Sequence, residues 1–142
     1  MLTDQLGYLQ AKADSLAHAI AKAEGFGVPD ALPTRCNNPG DMKLGDRGWG
    51  TVEGKTQYPK ADWAAELGDR EDGASALRRE CLAILVGASH IYALGWDFSA
   101  LGAVWTGYDN WEEWCKVVCK ELGAARGTTL AQYAEKTPAT GY

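Results

Sequence analysis

What this chain lacks narrows its class. It has no apolar run near the roughly 20 residues that a membrane span requires; the longest, Cys81 to Gly87, is far too short. It has no excess of positive charge: 14 Lys and Arg against 19 Asp and Glu leave a net charge of −5. A nucleic-acid binder would carry a basic face, so that class is disfavoured, and no long-range field steers an anionic polymer towards the chain. Histidine is scarce, with two in the whole sequence, and none of the four cysteines forms a CxxC pair. No metal site and no cofactor is expected from such a set. Cys115 and Cys119 stand at i, i+4 on an expected helix, a geometry that opposes a disulfide between them. The expected state is mostly free, partly buried thiols, with one or two disulfides as the alternative. The first residues, MLTDQLGYLQAKADSL, carry acids and glutamines where a signal peptide needs an apolar stretch, which leaves the compartment open.

What is present is ordinary for a globular chain. The 142 residues, 46% hydrophobic and 23% charged, are enough for one domain with a real core, and a monomer is expected. Leu2, Leu6, Leu9, Ala13, Leu16, Ala17, Ile20 and Ala23 recur at three or four residues. This spacing predicts one amphipathic helix, or two in succession, ending near Glu24-Gly25. A second helix is expected from about Gly73 to Leu94, with Asp72 as its N-cap. Ala76, Leu77, Leu82, Ile84, Leu85 and Val86 make it apolar enough to be the buried central one. Shorter helices are expected over Phe98–Trp105 behind Asp97 and over Asp109–Leu122, capped by Asp109 or Asn110, with Glu112 and Glu113 in its first turn and Gly123 at its end. A last turn is expected near Leu130–Ala134 behind Thr128 or Thr129.

The stretch from Gly25 to Glu71 holds four of the five prolines and eight of the seventeen glycines. It reads as turns and short strands, with a small hairpin over Gly50–Tyr58. The expected architecture is a mainly α, α+β domain spanning 1–142. An insertion lobe at about 25–71 sits between the first and central helices, and the tail at about 136–142 frays.

Two features could carry chemistry. Glu24 continues the apolar stripe of the first helix one turn beyond Ile20. A carboxylate at the edge of a core loses hydration, which favours the protonated acid, the form that glycosidic-bond cleavage asks of its general acid. Read alone, Glu24 fits better as a solvated helix end or a structural partner of Arg35. Arg35-Cys36-Asn37-Asn38-Pro39-Gly40-Asp41 is a stiff turn, with proline fixing φ and glycine free to adopt positive φ. Its asparagine amides suit sugar hydroxyls and N-acetyl groups, or the loop's own backbone.

Taken together, Ala23-Glu24-Gly25-Phe26 and Arg35-Cys36-Asn37-Asn38-Pro39-Gly40-Asp41-Met42 resemble the lysozyme-like superfamily, especially its phage and bacterial muramidase and lytic transglycosylase branches. There a helix ends in "EG" and a loop leads to "R-x-N-N-P-G-N". The family's last asparagine is Asp41 here. Weaker support comes from Arg47-Gly48-Trp49-Gly50, from Glu71–Leu77 entering the central helix, and from Leu101–Trp105 followed by Tyr108-Asp109-Asn110, over about residues 16–133 in all.

The resemblance implies a lysozyme-like fold and cleavage of the β-1,4 bond between N-acetylmuramic acid and N-acetylglucosamine in peptidoglycan, with Glu24 as general acid. It implies no cofactor and a glycan as partner. Asn37, Asn38, Asp41, Tyr58, Asp72, Trp105 and Tyr108 are candidates for holding that glycan, with Trp111 as a further aromatic. Trp63, Trp96 and Trp114 read as ordinary packing, and Arg78 and Arg79 as a solvated helix face, one of which could reach a lactyl carboxylate. A second carboxylate, if the reaction uses one, could be Asp30, Asp41 or Asp72. A transglycosylase would need only Glu24. The alternatives are an inactive member that binds cell-wall glycan or serves a structural role, and a helical interaction module.

Overall fold

A computed structural model describes residues 2–25 and 70–135, and the side chains of 5–25 and 74–135. Among them every regular element is a helix: α1 (Leu2–Ala23), α2 (Arg70–Leu85), α3 (Phe98–Trp105), α4 (Trp111–Leu122) and α5 (Leu130–Glu135). The chain is therefore mainly helical over the described residues. The expected hairpin over Gly50–Tyr58, the rest of the expected lobe from 26 to 69, Cys36, Trp63 and the tail at 136–142 lie outside them.

The first apolar pattern forms one continuous helix of 22 residues. Ala13, Leu16, Ala17 and Ile20 are buried along one stripe, whereas Leu6, nearer the start, is exposed. Its end falls where the sequence indicates. Glu24 N–H still reaches Ile20 O at 2.9 Å, and Gly25 turns the chain at φ 78°.

Helix α2 differs from its expected span. It begins at Arg70, so Asp72 lies in its first turn and is not its N-cap, and it stops at Leu85, not Leu94. The apolar run continues past Leu85, but Gly87 adopts φ 78°, a conformation that L side chains resist. Gly87 N–H then bonds Ile84 O at 3.1 Å and Ala88 N–H bonds Ala83 O at 2.7 Å, the paired bonds of a Schellman end. Beyond it, Ser89 Oγ accepts from Ile91 N–H and Tyr92 N–H at 3.2 and 3.1 Å and donates to Glu80 at 3.1 Å. One hydroxyl thus fixes the turn and gives a partner to a carboxylate that is only 1% exposed.

Helix α3 matches expectation. Asp97 is its N-cap, its Oδ1 accepting from Ala100 N–H at 2.8 Å. Asp97 also pairs with Thr129 in an isolated antiparallel bridge. Phe98 N–H to Thr128 O (3.1 Å) and Leu130 N–H to Trp96 O (2.7 Å) tie the two segments together. Helix α4 begins two residues later than expected. Asn110 precedes it in the left-handed region (φ 55°) and makes no side-chain capping bond, so neither expected side-chain cap appears there. Glu112 and Glu113 do occupy its first turn, and Gly123 ends it. Helix α5 opens on a reciprocal cap: Gln132 N–H donates to Thr129 Oγ1 at 3.0 Å and Thr129 N–H to Gln132 Oε1 at 2.9 Å.

Helix α1 packs on α2 and α4, α3 on α4, and α2 on α5. One cluster joins them, with Leu16, Ile20, Leu77, Ile84, Phe98, Leu101 and Leu130 fully buried. Each such side chain contributes about 1.5–3 kcal/mol relative to exposure. Tyr133 on α5 meets Phe98 edge-on at 5.7 Å and donates its hydroxyl to Lys12 O at 3.2 Å, while Lys12 Nζ lies 4.2 Å from the Tyr133 ring centre. Cys81, Cys115 and Cys119 are buried free thiols, as expected.

Candidate active site

Glu24 follows the last residue of α1, where the helix backbone is held but the chain has begun to turn. The side chain is half-buried. Its Oε2 accepts a hydrogen bond from Trp114 Nε1 at 2.8 Å. Trp114 is only 4% exposed, on the buried face of α4 with Cys115, Val118 and Cys119. An indole N–H is a donor only, so Oε2 is fixed as the accepting oxygen.

A second tie lies nearby. Lys22, in the last turn of α1, forms an ion pair with Glu121 on α4, two turns beyond Trp114. The hydrogen bond from Lys22 holds the Glu121 carboxyl below its ordinary range. The end of α1 is thus joined to α4 at two points, and Glu24 sits on the aromatic one.

The aromatic support extends behind Trp114. Its ring centre lies 6.1 Å from that of Trp105, and Trp105 stacks on Tyr92 at 5.1 Å. Trp96 meets Tyr92 edge-on at 6.2 Å. Trp105 is buried in this array.

Tyr108 is 73% exposed, in the turn between α3 and α4. It adopts φ 66°, a left-handed conformation costly for a bulky residue, with its N–H on Ala103 O at 2.7 Å. The turn therefore projects an aromatic side chain into solvent. Trp111, at the start of α4, is half-buried, with the Arg126 guanidinium 5.8 Å from its ring centre. Arg78 and Arg79 are exposed, and Arg78 Nε lies 3.8 Å from Asp14 Oδ1, an exposed pair of little energetic weight. Asp72 is in the first turn of α2, and its side chain lies outside the described ones. Asp30, Asn37, Asn38, Asp41 and Tyr58 lie outside the described residues.

Trp114 is the residue that sequence reasoning assigned to packing alone. The available signal was chemical. A buried tryptophan requires an acceptor for its N–H, and Glu24 was a carboxylate placed at a core edge. Among the described residues no group of three or more His, Cys, Asp or Glu side chains is placed to hold a metal ion, and no helix is long and apolar enough to cross a membrane. Comparison with protein-family models, curated proteins and solved structures finds no match to this chain.

Proposed function

We propose that this protein cleaves the β-1,4 glycosidic bond of peptidoglycan, with Glu24 as the general acid. The observation that carries the reading is the hydrogen bond from buried Trp114 to Glu24 at the end of α1. It orients a half-buried carboxyl on rigid backbone, as proton delivery to a glycosidic oxygen demands. The Glu24-Gly25 and Arg35–Gly40 motifs supply the substrate class by their resemblance to the lysozyme-like superfamily, and the lysozyme-like α+β fold belongs to the same proposal. Exposed Tyr108 fits the aromatic contact that sugar rings favour.

In this scheme the proton on the Glu24 carboxyl passes to the bridging oxygen and the bond from C1 to that oxygen breaks. Positive charge gathers at C1. Attack by water leaves a reducing end and returns a proton to the carboxylate. Attack by the substrate's own C6 hydroxyl leaves a 1,6-anhydro end and returns a proton likewise. Asn37, Asn38 and Asp41 are assigned to holding the N-acetyl sugar on the strength of the motif.

The test is mass spectrometry of soluble products from purified peptidoglycan treated with the wild type and with Glu24→Gln. Muropeptides from the wild type alone are expected. Their ends, reducing or 1,6-anhydro, distinguish hydrolase from transglycosylase. Glycan binding without product from either protein would replace this reading with that of an inactive glycan binder.

A further inference from the structure

Gly102 lies inside α3, buried, where α3 meets α4. A Cβ built on it would lie 3.0 Å from Trp114 Cε3, 3.3 Å from Cζ3 and 3.5 Å from Trp111 O. The benzo edge of the indole therefore rests against bare backbone. Trp105 lies beside the same indole, with ring centres 6.1 Å apart and ring planes at 30°. That ring cannot retreat freely, because Tyr92 stacks on it. The opposite, pyrrole edge of the Trp114 indole carries the N–H that meets Glu24. A rigid bicyclic ring pressed at one edge moves at the other.

From this geometry we infer that Gly102 is a positioning residue for Glu24, acting through Trp114. The missing side chain at 102 sets the depth at which the indole sits, and so the place where its N–H meets Oε2. Nothing in the backbone of α3 itself requires glycine at this position, since no residue of the helix takes positive φ; Gly107, Tyr108 and Asn110 lie beyond it. Alanine is the better helix former, so helix weakening would not account for a loss of activity in Gly102→Ala. The role in turnover rests on the glycosidase reading above. The seating of Trp114 does not.

The experiment is a double-mutant cycle with two readouts on the full chain. The variants are Gly102→Ala, Trp114→Phe and the pair together. Phenylalanine lacks both the N–H and the benzo edge that the new methyl group would strike. The first readout is the indole N–H resonance of Trp114 in ¹⁵N-labelled protein, assigned by its loss in Trp114→Phe and checked by its shift in Glu24→Gln. The second is kcat and KM on peptidoglycan.

Gly102→Ala is expected to move the Trp114 resonance and to lower kcat by roughly 3- to 10-fold, below the roughly 100-fold of a 1 Å misplacement because the contact displaces the ring by only a few tenths of an ångström, with KM little changed. In the Trp114→Phe background the same substitution is expected to cost almost nothing. If Gly102→Ala alone fails to fold while the double variant folds, the steric seat is shown directly. An unmoved resonance in a folded Gly102→Ala protein overturns the inference, as does an equal loss of turnover in both backgrounds. If the wild type shows no turnover, the glycosidase reading falls, and the resonance shifts in Gly102→Ala and Glu24→Gln decide the seating alone.

Discussion

Trp114 Nε1 and Glu24 Oε2 are 2.8 Å apart although 90 residues separate them along the chain. The indole is buried and the carboxyl half-buried, so each limits the other's access to water. Trp114→Phe keeps most of the apolar contact and deletes the donor. A hydrogen bond between neutral groups contributes about 0.5–1.5 kcal/mol and one to an ionised group about 1.5–3 kcal/mol, so a loss of about 1–1.5 kcal/mol is expected in urea unfolding because water can reach Glu24. The fall in kcat on peptidoglycan is expected to exceed the effect on KM, since the bond orients the acid and does not touch the sugar. An unchanged kcat in Trp114→Phe would exclude this orienting role.

Tyr108 should show opposite effects on stability and on binding. Its left-handed backbone costs roughly 1–2 kcal/mol for a side chain of this kind. Tyr108→Gly removes that cost, although glycine gives part of the gain back through a freer unfolded chain. The melting temperature is expected to hold or rise, while affinity for soluble N-acetylated glycan oligomers falls several-fold. Unchanged glycan affinity would remove Tyr108 from the binding surface.

The buried thiols give a signed pH dependence. Burial, reinforced by the neighbouring Cys115, pushes the Cys119 thiol up from its ordinary 9.0 to about 12, and burial raises Cys115 and Cys81 as well. Above pH 9 the unfolded chain releases thiol protons that the folded chain retains. The unfolded state then binds fewer protons, so stability falls as pH rises through this window; below it these groups have no effect. Urea midpoints followed from neutral pH into the alkaline range should drop, and Cys119→Ala should make the drop shallower. The same burial predicts that a thiol reagent labels Cys81, Cys115 and Cys119 only after denaturant is added.

Asp97 joins two elements. It caps α3 and pairs with Thr129, just before α5. Asp97→Ala is expected to cost about 1 kcal/mol or somewhat more, read as a lowered thermal midpoint. Asp97→Asn should restore most of it, because the amide oxygen can still accept from Ala100 N–H.

The parts of this fold that were legible in sequence are those fixed by neighbours along the chain. Asp97 before Phe98, Gly25 after Glu24 and Gly123 after Leu122 each act within one turn, and each marks its boundary. Helix α2 shows the limit. Val86 to Leu94 is apolar enough to extend the helical pattern, but Gly87 takes positive φ and Ser89 turns the chain onto buried Glu80. Periodicity does not register a hydroxyl that serves two backbone N–H groups and a carboxylate at once. Asn110 is a case of correct residue type and different geometry: it stands at the cap position but in the left-handed region, where its side chain makes no capping bond. Trp114 was the largest omission. Its i+1, i+4 and i+5 companions Cys115, Val118 and Cys119 mark a buried face, and that pattern is the same whether or not the indole holds an acid on another helix.

The span between Glu24 and its partner also sets a schedule for the nascent chain. The ribosome makes α1 before α4: Trp114 comes 90 residues after Glu24, and Glu121, the partner of Lys22, 99 residues after that lysine. At about 5–20 residues per second this is a delay of roughly 5–20 s, during which α1 has none of its α4 contacts. A chain halted before α4 carries the acid without the indole that orients it, so the catalytic arrangement proposed here forms only once α4 has been made.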